Sequence, residues 1–151
     1  MTERERNELT TGVVFRLARR SDQELFFPDR RVPLPDDFNL GSDETGKAKR
    51  DNFAQLSVWD ETRTTVDQAR AFLSPFYRMA FWLSVDEIRQ ILQSGTGDEC
   101  LRVFREPATR PLPGADGHCA IENVWSSKSD FKRIRADLIS IAKVDRTDLK
   151  R

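Results

Sequence analysis

Two β-forming runs, separated by a loop of turn-forming residues, place the strongest constraint on the fold. The first run extends from Cys100 to Pro107 and the second from Gly117 to Trp125. The segment between them contains two prolines and a glycine, residues that favour tight turns because of their restricted or permissive φ angles. The pattern predicts two strands that face each other across this loop.

Alternation of apolar and other residues predicts three further strands. They begin near Val13, Phe53 and Tyr77 and end near Ala18, Trp59 and Leu83. Threonine or serine followed three residues later by glutamine or glutamate is the spacing of a capping box. This spacing predicts short helices over 66–73 and 85–93.

A stripe of apolar residues at helical spacing predicts a C-terminal helix over about 131–143. We therefore expect an α+β domain in which a largely antiparallel sheet of about four to five strands carries two short helices and a C-terminal helix on one face. Residues 1–11 are highly charged and are predicted to be a flexible arm. The domain itself is expected to span 12–148, with a mobile loop at 41–50 where Ala48 is the only apolar residue.

The charge balance narrows the classes of function. The chain has 25 Lys and Arg residues against 25 Asp and Glu residues, so it lacks the overall basic character typical of nucleic-acid-binding domains. The C-terminal stretch Lys128–Arg151 is locally basic, but we interpret it as a solvated helix face. A net charge of zero gives little electrostatic repulsion between copies of the chain, so the sequence is compatible with a homo-oligomer. Neither a signal-peptide pattern nor a membrane span is apparent, so we expect a cytoplasmic protein.

His118 is the one histidine and the sharpest candidate for chemistry. A small hydrolase or nuclease could use it with Asp116 or Glu122 as its acidic partner. In a strand, however, His118 and Cys119 point to opposite faces, so they are not expected to bind one metal ion or to form a nucleophile–base pair. We expect free thiols at both cysteines, and no metal site or cofactor.

Two other features resemble functional motifs and have simpler explanations. The segment 114–117 holds two glycines but lacks the lysine and following helix of a phosphate-binding loop, so it is predicted to be a turn. Asp60 and Glu61 follow a strand as an active-site pair would. They also stand where a chain leaving a sheet needs turn-forming side chains, and we favour that interpretation.

The order of blocks resembles that of a group of small, uncharacterised bacterial proteins. The similarity is carried by 56–60, 64–69 and 117–121, and it covers about 50–143. Those proteins have a late Asp-x-Pro…His-Ala-x-Ile-type element before a terminal helix. Here Glu106-Pro107 and Cys119 depart from that pattern. The resemblance implies a compact domain and no particular activity.

These observations favour a non-catalytic, cytosolic protein-interaction domain, an accessory or regulatory subunit of a bacterial system that binds another protein. Large aromatic residues are common at interfaces, and the candidates for partner contact are Phe26, Phe27, Trp59, Trp82 and Trp125. The small hydrolase or nuclease that uses His118 remains the alternative.

Overall fold

The computed structural model describes residues 7–38, 54–92, 97, 99–123 and 131–149. The predicted mobile loop at 41–50 and the aromatic candidate Trp125 lie outside the described residues.

One antiparallel sheet organises the fold, with its six strands in the order β1-β5-β6-β3-β2-β4. The prediction of an α+β domain with an antiparallel sheet is confirmed, and the strand count is slightly higher than expected. The six strands are β1 (Glu8–Leu9), β2 (Val13–Arg19), β3 (Ala54–Asp60), β4 (Tyr77–Ser84), β5 (Leu101–Arg105) and β6 (His118–Asn123).

The additional strand, β1, lies within the segment predicted to be a flexible arm. Glu8 pairs with Phe104 and Leu9 with Val103, so these two residues add a short strand to the edge of the sheet. A two-residue strand is too short to show alternation in the sequence. Its position depends instead on the edge that β5 offers.

Three helices accompany the sheet: α1 (Val66–Arg70), α2 (Val85–Arg89) and α3 (Phe131–Ile141). All three lie within the predicted ranges and all are shorter than predicted. Thr65 and Gln68 form the complete capping box at the start of α1. The capping residues Thr65 and Ser84 mark where α1 and α2 start. The expected stop signals, Pro75 and Gly95, stand several residues beyond the observed ends, so the predicted helices are too long. Among the described helices, none is long and apolar enough to cross a membrane.

Helices cover both faces of the sheet rather than the one face that was expected. On the first face, Val58 and Ile121 pack in a core that includes Ile88 of α2 and Leu138 of α3. On the second face, Phe15, Leu17 and Trp59 pack against Ala69 of α1. The expectation was wrong because β2 places apolar side chains on both faces, Val14 and Ala18 on the first and Phe15 and Leu17 on the second, and each set requires cover.

Residues 20–38 cross the first face as an irregular segment that we call the strap. The strap contains three short 3-10 turns, at Glu24–Phe26, Pro28–Arg30 and Pro35–Phe38. Phe38 is fully buried, and its ring centroid lies 6.1 Å from that of Phe81. The strap therefore ends in the core, while its middle portion runs over the surface.

Candidate functional site

His118 begins β6 on the second face of the sheet. Its Nδ1 lies 2.7 Å from the backbone oxygen of Glu106. Because a carbonyl oxygen only accepts, Nδ1 must carry the proton, and Nε2 of the neutral ring is then an acceptor. The imidazole stands edge-on to the indole of Trp59, with 4.8 Å between centroids. Two neighbours thus fix the orientation and the tautomer of this side chain.

The structure does not bring the predicted acidic partners to His118. The Asp116 side chain is 67% exposed and faces Arg63 at 4.0 Å. Glu122 is fully buried four residues along the same strand, about 13 Å away at the usual rise per residue. Cys119 lies in the core of the first face, which confirms the predicted separation of His118 from Cys119.

The described residues contain no group of three or more His, Cys, Asp or Glu side chains that could hold a metal ion. The glycine segment is a turn, as predicted. Gly114 has a φ of 87° and precedes a 3-10 turn at Ala115–Gly117. Thr64 donates to the backbone oxygen of Gly114 at 2.7 Å, and a side chain at Gly117 would overlap the Thr64 hydroxyl. The space beside these glycines is therefore filled by protein.

Asp60 and Glu61 are also structural. Asp60 is buried and accepts from both the backbone N–H and the hydroxyl of Thr62, at 2.9 and 2.8 Å. It accepts a further bond of 2.8 Å from Arg105. Glu61 forms two hydrogen bonds with Arg146, at 2.6 and 3.0 Å. These contacts fit the predicted turn chemistry and give neither carboxylate the open approach that a substrate would need.

A shallow groove of about 380 Å³ lies beside His118. Trp59 and Phe72, whose ring centroids are 5.1 Å apart, contribute to it together with Pro107 and Arg110. Glu106 lines the groove as well, and its backbone oxygen is the atom that bonds to the His118 ring. Aromatic and charged side chains therefore both border the groove.

The aromatic residues predicted to contact a partner separate into exposed and buried ones. Phe26 and Phe27, both on the strap, are 78% and 52% exposed. Trp59 is 3% exposed, so burial removes it from the contact surface. Trp82 is half-buried, stacks 5.1 Å from Phe15, and exchanges two backbone hydrogen bonds with Lys143.

The strap is anchored by a buried ion pair between Arg20 and Asp37. Both guanidinium Nη atoms bond to the carboxylate, at 2.8 and 2.6 Å. The remaining donors reach the backbone oxygens of Arg19, Arg30 and Val32 at 2.8 to 3.2 Å. All five N–H groups of Arg20 are thereby used, and the bond to Asp37 raises its pKa above the ordinary value. A rigid base thus supports the exposed aromatic residues.

A cavity of about 480 Å³ opens between the strap and the end of β2, and we call it the strap cavity. Its walls come from segments that are distant in sequence, so this cavity was not predicted. One residue in the sequence does indicate a polar site here. Arg16 stands at mid-strand between the core residues Val14 and Ala18, and a guanidinium in that position needs polar surroundings. The lining includes Arg16, Arg19, Arg20, Glu24, Arg30, Asp37, Phe76 and Tyr77.

Comparisons with known proteins complete the description of the site. No family model, curated protein or solved structure matches the chain.

Proposed function

We propose that the chain is a non-catalytic protein-interaction domain, an accessory or regulatory subunit in the bacterial cytoplasm that binds another protein through its strap. The observation that carries this proposal is the exposure of Phe26 and Phe27, at 78% and 52%. Two adjacent exposed aromatic rings on an anchored segment are what an interface anchor requires, because such rings bury large areas and lose little conformational freedom.

Rigidity of the strap supports the same function. The Arg20–Asp37 pair holds the segment from below, and Phe38 ties its end to the core. An anchored segment loses less conformational entropy when a partner binds than a free loop would lose. Cys100 and Cys119 are buried and form no disulfide, which fits a reducing compartment such as the cytoplasm.

The test uses the tagged full chain expressed in its native host, with quantitative mass spectrometry of the proteins that co-purify. We expect the double variant Phe26→Ser/Phe27→Ser to reduce recovery of a stoichiometric partner about tenfold or more, as loss of interface anchors does. The melting temperature should change little, because both side chains are exposed.

The matched control is Leu92→Ser/Val144→Ser, which removes two other apolar side chains that are 44% and 43% exposed. This control should keep the partner. Full recovery of the partner by the Phe26/Phe27 variant would show that the strap is not the contact surface. The mass of the purified protein is also measured by light scattering. A dimeric mass that becomes monomeric in the Phe26/Phe27 variant would mean that the strap binds a second copy of this chain instead of another protein.

A further inference from the structure

The strap cavity holds an excess of positive charge. Asp37 is paired with Arg20 at 2.6 Å, and Glu24 is paired with Arg30 at 3.1 Å. Among the described residues, no carboxylate is in ion-pair contact with either of the two other guanidinium groups that line the cavity, those of Arg16 and Arg19. Four positive and two negative side chains therefore leave two charges to be compensated.

Arg16 is held so that its charge stays in the cavity. Its Nε donates to the backbone oxygen of Asp37 and its Nη1 to that of Ser57, the latter at 2.8 Å. Carbonyl oxygens fix the guanidinium but bring no full negative charge. Burial lowers the pKa of Arg16 to about 10, and the attraction of the Asp37 carboxylate, which is bonded to Arg20, offsets only part of this effect. The group is therefore charged at neutral pH in a setting that disfavours charge. A bound anion would relieve this unfavourable state.

The size and the walls of the cavity point to more than a bare ion. A volume of about 480 Å³ falls in the range of small-molecule sites. Phe76 and Tyr77 contribute aromatic surface, and the guanidinium of Arg19 lies 5.2 Å from the centroid of the Phe76 ring. An aromatic or other apolar group attached to the anion would have rings to pack against.

We propose that the strap cavity binds a small phosphate monoester, with its phosphate held by Arg16 and Arg19 and its organic body against Phe76 and Tyr77. A phosphate monoester carries a charge of about −1.5 to −2 near pH 7, which matches the two uncompensated guanidinium groups. Arginine suits this role because its planar donors fit phosphate oxygens. A carboxylate would neutralise only one of the two charges. Arg20 has no donor left for a ligand, so its role is to hold the strap.

The experiment is a calorimetric titration of the full chain with phenyl phosphate at constant low ionic strength and pH 7.5. Inorganic phosphate and benzoate are titrated alongside. We expect phenyl phosphate to bind more tightly than either, because it alone supplies both the dianion and the ring. The variant Arg19→Gln, whose side chain is exposed and therefore dispensable for folding, should weaken phenyl phosphate binding about 10- to 100-fold. Arg16→Gln should do so at least as strongly if it folds.

Arg110→Gln is the matched control, since Arg110 is exposed and lines the groove beside His118 instead. This control should bind phenyl phosphate like the unmodified chain, and so should the Phe26→Ser/Phe27→Ser variant, which separates the two proposals. Absence of phenyl phosphate binding up to millimolar concentrations would overturn the inference. If inorganic phosphate or benzoate bound as tightly as phenyl phosphate, the inference would also be wrong. The same holds if Arg19→Gln and Arg110→Gln weakened phenyl phosphate binding equally.

Discussion

Arg20 and Arg16 lie close together in the chain and have different electrostatic surroundings. Arg20 is saturated by one carboxylate and three carbonyl oxygens, so its burial is compensated. Arg16 donates to the backbone oxygens of Asp37 and Ser57, and the Asp37 carboxylate acts on it from a distance because it is bonded to Arg20. A buried guanidinium bonded to its own carboxylate stabilises the structure around it, whereas a partly buried one that is bonded only to carbonyl oxygens favours a bound anion. The same side chain thus supports the strap at one position and prepares a binding site at the other.

At the residue scale, we predict that neither cysteine reacts in the folded protein. Both thiols are buried, and burial raises the pKa of Cys119 to about 12. The thiolate is the reactive form, and the raised pKa keeps Cys119 in the thiol form near pH 8. A disulfide reagent followed by absorbance should detect no thiol in the native state and two after unfolding in guanidinium. Rapid modification of one native thiol, assigned with Cys100→Ser, would contradict this prediction.

The sequence predicted some side-chain positions and could not predict others. Cys119 was placed in the core because Ile121 shares its alternation, and the structure has both in one cluster. The role of Arg16 depends on Asp37 and Ser57, which reach it from other segments. Alternation reports the face of a strand, whereas it carries no information on which distant atoms cover that face.

At the element scale, α1 depends on its surroundings. A helix of five residues is far below the ~12–15 residues at which isolated helices become even marginally stable. The Thr65–Gln68 capping box bonds two backbone N–H groups, at 3.1 and 3.0 Å. Ala69 is completely buried and attaches the helix to the second face of the sheet. The helix is therefore held by its first turn and by one buried side chain.

We predict that Thr65→Ala lowers the free energy of unfolding by about 1 kcal/mol, the usual effect of losing an N-cap side chain. Because Thr65 is exposed, loss of core packing should contribute little. Urea denaturation followed by circular dichroism measures the change. Thr109→Ala, at an exposed loop position, is the control and should be nearly neutral. Equal stability of both variants would mean that the capping box does not stabilise α1.

At the scale of the whole molecule, three carboxyl groups link stability to pH. Asp60 has a lowered pKa: burial alone would raise it, but the bonds from Thr62 and Arg105 outweigh that effect. Hydrogen bonds from the backbone of Ser21 and of Thr147 are the main causes of the lowered pKa values of Glu24 and Asp145. Each group binds its proton less readily when folded than when unfolded, where ordinary values are 3.8 for Asp and 4.5 for Glu. Their contribution is therefore present above those values and is lost as pH falls through the folded ones.

We accordingly predict that the free energy of unfolding, measured with urea, is nearly constant from neutral pH to about pH 5 and falls steadily below about pH 4. The variant Asp60→Asn should be less stable at neutral pH and should lose less on acidification, because one of the linked groups is gone. Stability that increases on acidification would contradict the assigned direction of these shifts.

The strand order also decides how the chain can fold while it is being synthesised. Among the strands of the described residues, β5 and β6 form the one pair whose partners are near neighbours in sequence, with Arg105 opposite Cys119. The other pairs join distant residues, such as Phe15 with Trp59 and Leu9 with Val103, and such pairing slows folding because long loops must close first. The part of the sheet made of β3, β2 and β4 can assemble on the ribosome once Ser84 has emerged. β1 and β5 can join it only through β6, so completion of the sheet must wait for translation to pass Asn123.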